Sequence, residues 1–360
     1  MKRLEVVQIG LGHVGRAVAQ IVLEERKRWR EQHSLELVYR AVSDTTGALF
    51  GEELLPQAIR AKEDGGKLAQ FGVEPLEDVL ASDPAPRFTR AVVDVAVHGG
   101  TYDLDVFGVR NGSCLVLSNK GPLSGSTERY EQLTRMLPDR LWHEATVGAG
   151  MPIISTLDGL LAGGDEILEI QASPSGTLGF VMSAVEAGRR FSEAVKEAVA
   201  LAYAEPDPRD DLSGLDVARK AIILARKMGR VVEPEEIPYE SLVPEGLEDV
   251  SLEEFMERLP EHDEAFAERL LAVEEHHMLR YLARIPREGP VTVGLVDEPV
   301  ESPFGPISGP ENVFDFRTRR YSDVTLTIRG PGAGPERTAS GVVFDLLDIA
   351  HKVIEDDGKG

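Results

Sequence analysis

The most unusual chemistry in the sequence lies between Glu205 and Lys220, which reads EPDPRDDLSGLDVARK. Two prolines prevent residues 205–208 from continuing a helix, whereas Ser213 can cap a new helix that carries Asp216 in its first turn. Asp216 and Lys220 then share one helical face. Such carboxylates suit the ammonium group of a ligand, and a lysine beside a buried surface suits general acid–base work. The alternative is an ordinary surface ion pair, worth at most about 1 kcal/mol.

A glycine-rich loop near the N-terminus is the second candidate site. Residues 10–15 read GLGHVG, follow the short apolar run 4–9, and open a helical pattern. Gly10 permits a tight turn, Gly12 allows close approach of a pyrophosphate, and Gly15 lets helix and strand pack closely. The free N–H groups of the helix start attract phosphate. The loop, with His13 and Val14 inside it, therefore predicts a dinucleotide site; an ordinary glycine turn is the alternative.

Asp44 is the candidate ligand for the adenosine ribose. It follows the second predicted strand, later after Gly15 than is usual, because the intervening helix is long. A carboxylate there would repel a 2′-phosphate and so favour NAD over NADP. Capping of a local loop explains the residue equally well, and the choice between NAD and NADP stays open.

These candidates need elements that position them, and the first part of the chain supplies alternating ones. Strands are predicted at 4–9, 35–42, 91–97 and 115–117, with a helix near 104–109. Strands that alternate with helices indicate a parallel sheet with right-handed crossovers.

After about residue 144 the pattern changes. We predict a strand at 167–172, helices at 178–188, 192–202, 215–228 and 261–284, and an irregular stretch at 232–260. Strands of a second sheet are predicted at 291–296, 313–316 and 324–328, before a closing helix at 341–354. The fold class is therefore α/β, with a Rossmann-type nucleotide-binding domain (1–143 plus 335–360). A second α+β domain with a mixed sheet (144–334) would provide catalysis and dimerisation.

Composition limits the partners. The formal net charge of −23 and the lack of a basic stripe argue against nucleic acid as a ligand. The sequence has neither an apolar run long enough for a bilayer nor a secretory signal. A single cysteine, Cys114, excludes an internal disulfide and a thiolate metal cluster. We expect a cytoplasmic protein without membrane partners.

The segment 205–220 resembles the signature of homoserine dehydrogenases. Four further stretches are similar to that family in the same order: 117–122 (LSNKGP), 144–154 (EATVGAGMPII), 175–180 (SGTLGF) and 330–342 (GPGAG to TASGV). The resemblance implies reversible reduction of L-aspartate-4-semialdehyde to L-homoserine with NAD(P)H, in the pathway to threonine and methionine. It also implies a homodimer.

The resemblance assigns roles to individual residues. Lys220 would donate the proton, Lys120 would favour the developing oxyanion between cofactor and substrate, and Asp216 would hold the substrate with Glu205 and Thr177. Ala96, Ala202 and Gly334 would contact the cofactor, as would Lys120.

The stretch 144–154 implies a monovalent cation, usually sodium. Its ligands would be the Glu144 carboxylate and the main-chain carbonyls of Val147, Ala149 and Met151. Oxygen-only ligation suits a hard cation; a tight glycine turn without metal is the alternative.

Some positions depart from the family. Ala202 replaces a common glycine, Ala96 a threonine, and Gly179 an asparagine or serine, which leaves details of cofactor contact open. The sequence also suggests a monofunctional form without an appended ligand-sensing (ACT) or kinase domain. Two other functions are compatible with the glycine loop: another Rossmann amino-acid dehydrogenase, similar to aspartate dehydrogenase, and a non-catalytic nucleotide-binding redox sensor. Neither explains the set Lys120, Glu205, Asp216 and Lys220.

Overall fold

The chain folds into two units, each organised around its own sheet. A computed structural model describes residues 1–97, 99–137 and 139–353. The first unit comprises Met1–Pro152 and Gly334–Gly360, and the second comprises Ile153–Ala333. The sequence predicts the divisions after residues 143 and 334. Residues 144–152 fall in the first unit, because their loop packs on the closing helix of that unit.

The first unit has a six-stranded sheet. Its strands are β1 (Lys2–Ile9), β2 (Leu35–Asp44), β3 (Gly47–Phe50), β4 (Thr89–Asp94), β5 (Cys114–Leu117) and β6 (Leu141–Trp142). Its helices are α1 (His13–His33), α2 (Leu55–Glu63), α3 (Leu76–Ala81), α4 (Tyr102–Arg110), α5 (Gly121–Ser124) and α6 (Thr127–Met136).

Strand order in this sheet is β3-β2-β1-β4-β5-β6, and every pair is parallel except the β2–β3 hairpin. The chain runs outward from β1 in both directions, so the carboxyl ends of β1 and β4 meet where the strand order reverses. Open parallel sheets bind ligands at such a point.

The second unit carries the signature segment. It contains helices α7 (Ile153–Ala162), α8 (Gly176–Glu186), α9 (Phe191–Ala200), α10 (Arg209–Leu212), α11 (Leu215–Lys227), α12 (Leu252–Arg258) and α13 (Asp263–Leu271). Its strands are β7 (Ile167–Ser173), β8 (His277–Pro286), β9 (Thr292–Pro299), β10 (Glu311–Thr318) and β11 (Leu326–Pro331). Helix α14 (Pro335–Lys352) then returns to the first unit.

The α/β fold class is confirmed, with two differences in the second unit. Its sheet, in the order β11-β10-β7-β8-β9, is antiparallel in every pair, whereas a mixed sheet was expected. The helix expected at 261–284 ends at Leu271, and His277 begins strand β8. Leu279 and Tyr281–Ala283 are buried on both faces of that strand, so its apolar run lacks the alternation that distinguishes a strand from a helix.

Apolar side chains of β1, α1 and α14 form the core of the first unit. Leu4, Val18, Val342 and Leu346 are fully buried in one cluster. Packing of α14 against α1 thus places the start of α14 beside the glycine loop. In the described part of the chain, no helix has the length and apolar character required to cross a membrane.

Candidate functional site

The glycine loop connects β1 directly to α1. Gly10 has φ of +101°, and a Cβ there would lie 3.2 Å from the Ala96 nitrogen. A Cβ on Gly15 would overlap the Gly10 carbonyl oxygen, whereas the space beside Gly12 is open. Gly10 and Gly15 are therefore required by the turn, and Gly12 leaves room for a ligand to approach the main chain.

Gln8 supports this loop and was not among the residues predicted from the sequence. Its Nε2 donates to the carbonyl oxygens of Gly10 at 2.8 Å and Gly15 at 3.0 Å, while its Oε1 accepts from the Tyr39 hydroxyl at 2.7 Å. The sequence signal is a polar residue between the apolar residues Val7 and Ile9, directly before the glycine loop.

A cleft lies beside the loop, within the first unit. His13, Arg16 and Gln20 of α1 line one side, and residues 334–337 at the start of α14 line the other. The amino ends of α1 and α14 thus border the same cleft, which gives it two positive dipole ends. The Arg16 guanidinium donates to the Lys62 carbonyl at 3.1 Å. This arrangement suits the phosphates of a dinucleotide.

Asp44 is occupied by local donors. Its carboxylate accepts hydrogen bonds from the Thr46 N–H and hydroxyl, the Leu68 N–H at 3.1 Å and the Lys62 ammonium at 3.0 Å. Burial alone would raise the pKa of Asp44, but these hydrogen bonds outweigh it, so the pKa is lowered. These contacts agree with the alternative role of Asp44, in which its carboxylate caps a local loop. A ribose hydroxyl could bind Asp44 only by displacing one of these donors.

Lys120 follows a residue that is tightly fixed. The Asn119 side chain donates to Asp94 at 2.9 Å and accepts from the Gly121 N–H at 3.0 Å. Asp94 also accepts from the Ala96 N–H at 2.9 Å. This one carboxylate therefore holds both Ala96 and the residue before Lys120, and Ala96 and Lys120 are two of the predicted cofactor contacts. Lys120 itself is half-buried at the start of α5.

The predicted cation loop belongs to the first unit. Glu144 is buried, and its N–H donates to Asp345 of α14 at 3.0 Å. Val147 and Ala149 are also buried, and neither carbonyl oxygen accepts a hydrogen bond from the residues that the structure describes. Ala149 has φ of +56°, which turns the chain at this point. A buried carboxylate beside two carbonyls that no donor of the described residues reaches is a donor set that fits a hard cation.

Lys220 is held at two points on α11. Its ammonium donates to the Pro174 carbonyl at 2.6 Å and pairs with Asp216 at 2.7 Å, while the residue is 8% exposed. The helix begins after Gly214, not at a Ser213 cap. Gly214 has φ of +75°, and a Cβ there would overlap the Tyr281 hydroxyl. The ion pair and the helix start at Leu215 agree with the sequence prediction, whereas the cap residue is Gly214 and not Ser213.

Asp211 links Glu205 of the signature segment to Thr177, and it was not predicted from the sequence as a site residue. It accepts from the Glu205 N–H at 2.8 Å and lies 3.0 Å from the Thr177 hydroxyl, which also contacts the Tyr203 carbonyl at 2.5 Å. Burial raises the pKa of Asp211. Thr177, Asp211 and Glu205 thus form one polar cluster in the second unit. The acid-rich composition of residues 205–216 is the feature of the sequence that indicates this cluster.

Arg209 fixes the turn that carries this cluster. Its guanidinium binds Asp207 at 2.5 and 2.9 Å and the Val250 carbonyl at 2.7 Å, and it stacks over Phe255. A planar donor fork of this kind holds a loop in one geometry.

Ala202 and Gly334 lie at helix ends. Ala202 follows α9 with φ of +54° and is exposed, and Gly334 precedes α14 with φ of +115°. Gly334 lines the cleft beside the glycine loop. Ala202 lies in the second unit, and its role in cofactor contact stays a prediction.

Comparison with known proteins identifies the family. A family model described as homoserine dehydrogenase matches residues 152–347, more than half of the chain. The chain belongs to the homoserine dehydrogenase family. The homoserine dehydrogenase of Saccharomyces cerevisiae is 36% identical, over 78% of this chain and 80% of its own length.

Longer, bifunctional proteins contain a region that is similar to this chain. The chloroplastic bifunctional aspartokinase/homoserine dehydrogenase 1 of Zea mays is 44% identical over 96% of this chain, which spans 38% of that protein. Among solved structures, a Candida auris protein of unknown function has a TM-score of 0.86 at 30% identity, covering 98% of this chain and 99% of that one. A hyperthermophilic archaeal homoserine dehydrogenase in complex with NADPH has a TM-score of 0.74 at 25% identity, covering 97% and 98%.

Proposed function

We propose that this chain catalyses the reversible reduction of L-aspartate-4-semialdehyde to L-homoserine with NADH or NADPH. The observation that carries the proposal is the lysine of the signature segment, held between Asp216 and the Pro174 carbonyl next to a buried strand end. The Asp216 carboxylate and the Pro174 carbonyl both accept hydrogen bonds, so they stabilise the protonated ammonium form of Lys220, which can donate a proton.

Each polar residue has a part in the proposed reaction. NAD(P)H, when bound, supplies the hydride that reaches the aldehyde carbon. Lys220 delivers the proton to the aldehyde oxygen as negative charge develops there. Glu205, Thr177 and Asp216 hold the substrate's ammonium and polar end. Lys120 presents a positive charge to anionic oxygen.

The glycine loop and the cleft at the start of α1 and α14 would hold the dinucleotide phosphates. Gly10, Gly12, Gly15 and Gly334 shape that main chain, with His13 and Val14 in the loop. The archaeal relative, whose structure contains NADPH, supports dinucleotide binding here. With Asp44 already engaged, the choice between NAD and NADP rests on measurement.

A sodium ion is proposed at the loop formed by Glu144, Val147, Ala149 and Met151. The Val147 and Ala149 carbonyls, which accept no hydrogen bond from the described residues, support it, since buried carbonyls are normally satisfied. The ion would neutralise Glu144 and order the loop. We further propose a cytoplasmic homodimer that supplies homoserine for threonine and methionine synthesis, without nucleic-acid or membrane partners.

The proposed reaction is tested by incubating the purified chain with L-homoserine and either NAD⁺ or NADP⁺, in sodium or choline chloride. Nicotinamide absorbance should rise with L-homoserine, and faster in sodium, but not with L-aspartate. Turnover of L-aspartate alone would assign the chain to the aspartate dehydrogenase reading, and no turnover of either would reject both.

A further inference from the structure

Two carboxyl groups are buried together behind the loop that carries Lys120. Asp94 ends strand β4, and Asp105 lies on helix α4; both side chains belong to residues with no exposed surface. Asp94 has N–H and O–H donors, namely Ala96, Asn119 and the Thr101 hydroxyl at 2.7 Å. These contacts are sufficient for a buried carboxylate.

Asp105 has no such donors. Neither of its carboxyl oxygens has an N–H or O–H partner in the part of the chain that the structure describes. The Asp94 carboxyl is its neighbour, since α4 packs on β4 and each of the two carboxyls acts on the pKa of the other. Two ionised carboxylates only accept hydrogen bonds, so this contact requires a proton between them.

Asp94 connects Asp105 to the loop 118–121, which carries Lys120. Its main-chain carbonyl accepts from the Ser118 N–H at 2.9 Å and the Asn119 N–H at 3.3 Å, and its side chain binds the Asn119 amide. Asn119 in turn holds the Gly121 N–H. Lys120 therefore lies between two residues whose positions depend on Asp94.

We propose that Asp105 and Asp94 form a carboxylic acid–carboxylate pair, in which Asp105 keeps its proton and donates it to Asp94, and that this pair positions loop 118–121. Asp105 is a positioning residue, because it acts through Asp94 and Asn119. The catalytic consequence rests on the proposed function, since it concerns Lys120; the shared proton does not.

The surroundings of Asp105 favour the protonated form. Burial, and secondarily the charge of Asp94, raises the pKa of Asp105 well above its usual range. Helix α4 packs against β4, β5, α3 and α6. The other ionisable groups on these four elements are Arg90, which is paired with Glu5, the buried Cys114 thiol, Glu77 and Asp78 of α3, and Glu128, Arg129, Tyr130, Glu131 and Arg135 of α6. Among described residues, only Asp94 acts on the charge of Asp105.

The sign of the pH dependence follows. In the unfolded chain Asp105 loses its proton near pH ~3.9, whereas the folded chain retains it to higher pH. The stabilisation is therefore complete below the unfolded pKa and is lost as pH rises through the raised pKa. Loss of that proton should also loosen the loop that carries Lys120.

The test compares three variants. Asp105→Asn keeps a donor to Asp94 without a titrating proton, Asp105→Leu removes the donor, and Asp103→Asn is the control on the exposed face of the same helix. Infrared spectroscopy at neutral pH should show a protonated carboxyl band in the wild type and Asp103→Asn, but not in Asp105→Asn. Urea unfolding across pH should show that Asp105→Asn removes the uptake of one proton on folding.

Activity provides the positioning readout. In the wild type, kcat should decline at alkaline pH as Asp105 loses its proton. Asp105→Asn should keep kcat within about twofold and lose this decline. Asp105→Leu should lower kcat/KM at least tenfold, or about 1.4 kcal/mol. Amide exchange at residues 118–121 should accelerate only in Asp105→Leu. An unchanged infrared band and unchanged linkage in Asp105→Asn would overturn the pair. Neither measurement needs substrate, so failure of the proposed reaction is recognised separately, by an inactive wild type that still shows the band.

Discussion

At the scale of single residues, the site depends on which carboxylates are engaged and which are presented. Asp44 is engaged by Thr46, Lys62 and Leu68, while Asp216 is about half exposed beside Lys220. Spacing along the chain predicted both residues, but it could not distinguish these states, because the donors to Asp44 come from residues up to 24 positions away.

Asp44→Asn tests the engaged state. Because the pKa of Asp44 is lowered in the folded chain, its ionised form stabilises the fold above the unfolded pKa, and that contribution disappears as pH falls through the folded pKa. We expect the substitution to lower the unfolding free energy by about 1.5–3 kcal/mol at neutral pH. The difference should shrink in acid, as urea unfolding would measure.

The control for this prediction is Asp64→Asn, at the exposed end of α2, which should leave stability unchanged at both pH values. If Asp44→Asn instead kept wild-type stability but lost affinity for NADH, Asp44 would be a ribose ligand after all.

At the scale of elements, helix ends explain a departure from the family. The Tyr203 N–H bonds to the Ala198 carbonyl and the Ala202 N–H to the Val199 carbonyl, so α9 ends in a Schellman motif. Ala202 occupies the left-handed position of that motif, which glycine adopts without steric cost.

Ala202→Gly should therefore raise the free energy of unfolding by about 1 kcal/mol. Ala200→Gly, in the last turn of the same helix and equally exposed, should lower it by about 0.5–1 kcal/mol. Thermal and urea unfolding of both variants would check the contrast. Destabilisation by both would show that the Ala202 methyl makes a contact that outweighs its backbone strain.

Element boundaries show where prediction from sequence succeeds. The glycine loop fixed β1 and α1, because a positive φ at Gly10 and close packing at Gly15 leave few alternatives. The cap residue of α11 was placed one residue too early, because Gly214, packed against Tyr281, is selected by a contact far along the chain. Strand β8 was missed for a related reason, since burial of both faces comes from elements that the local pattern does not contain.

At the scale of the whole molecule, the sequence predicts two units and the return of the last helix to the first. The division at Pro152 was not predictable, since the loop 144–152 joins the first unit through Asp345 and the packing of α14. Gln8, Asp105 and Asp211 were missed as supports of the site, because each acts through partners that only the fold brings near.

The central claim is that Lys220 provides the proton in homoserine–semialdehyde interconversion. The direct test is steady-state kinetics of Lys220→Ala against Lys227→Ala, a lysine on the same helix that pairs with Asp158 at 2.7 Å. We expect Lys220→Ala to lower kcat by about 10²–10⁴-fold with unchanged affinity for NADPH, and Lys227→Ala to keep wild-type kcat. Wild-type kcat in Lys220→Ala would contradict the assignment.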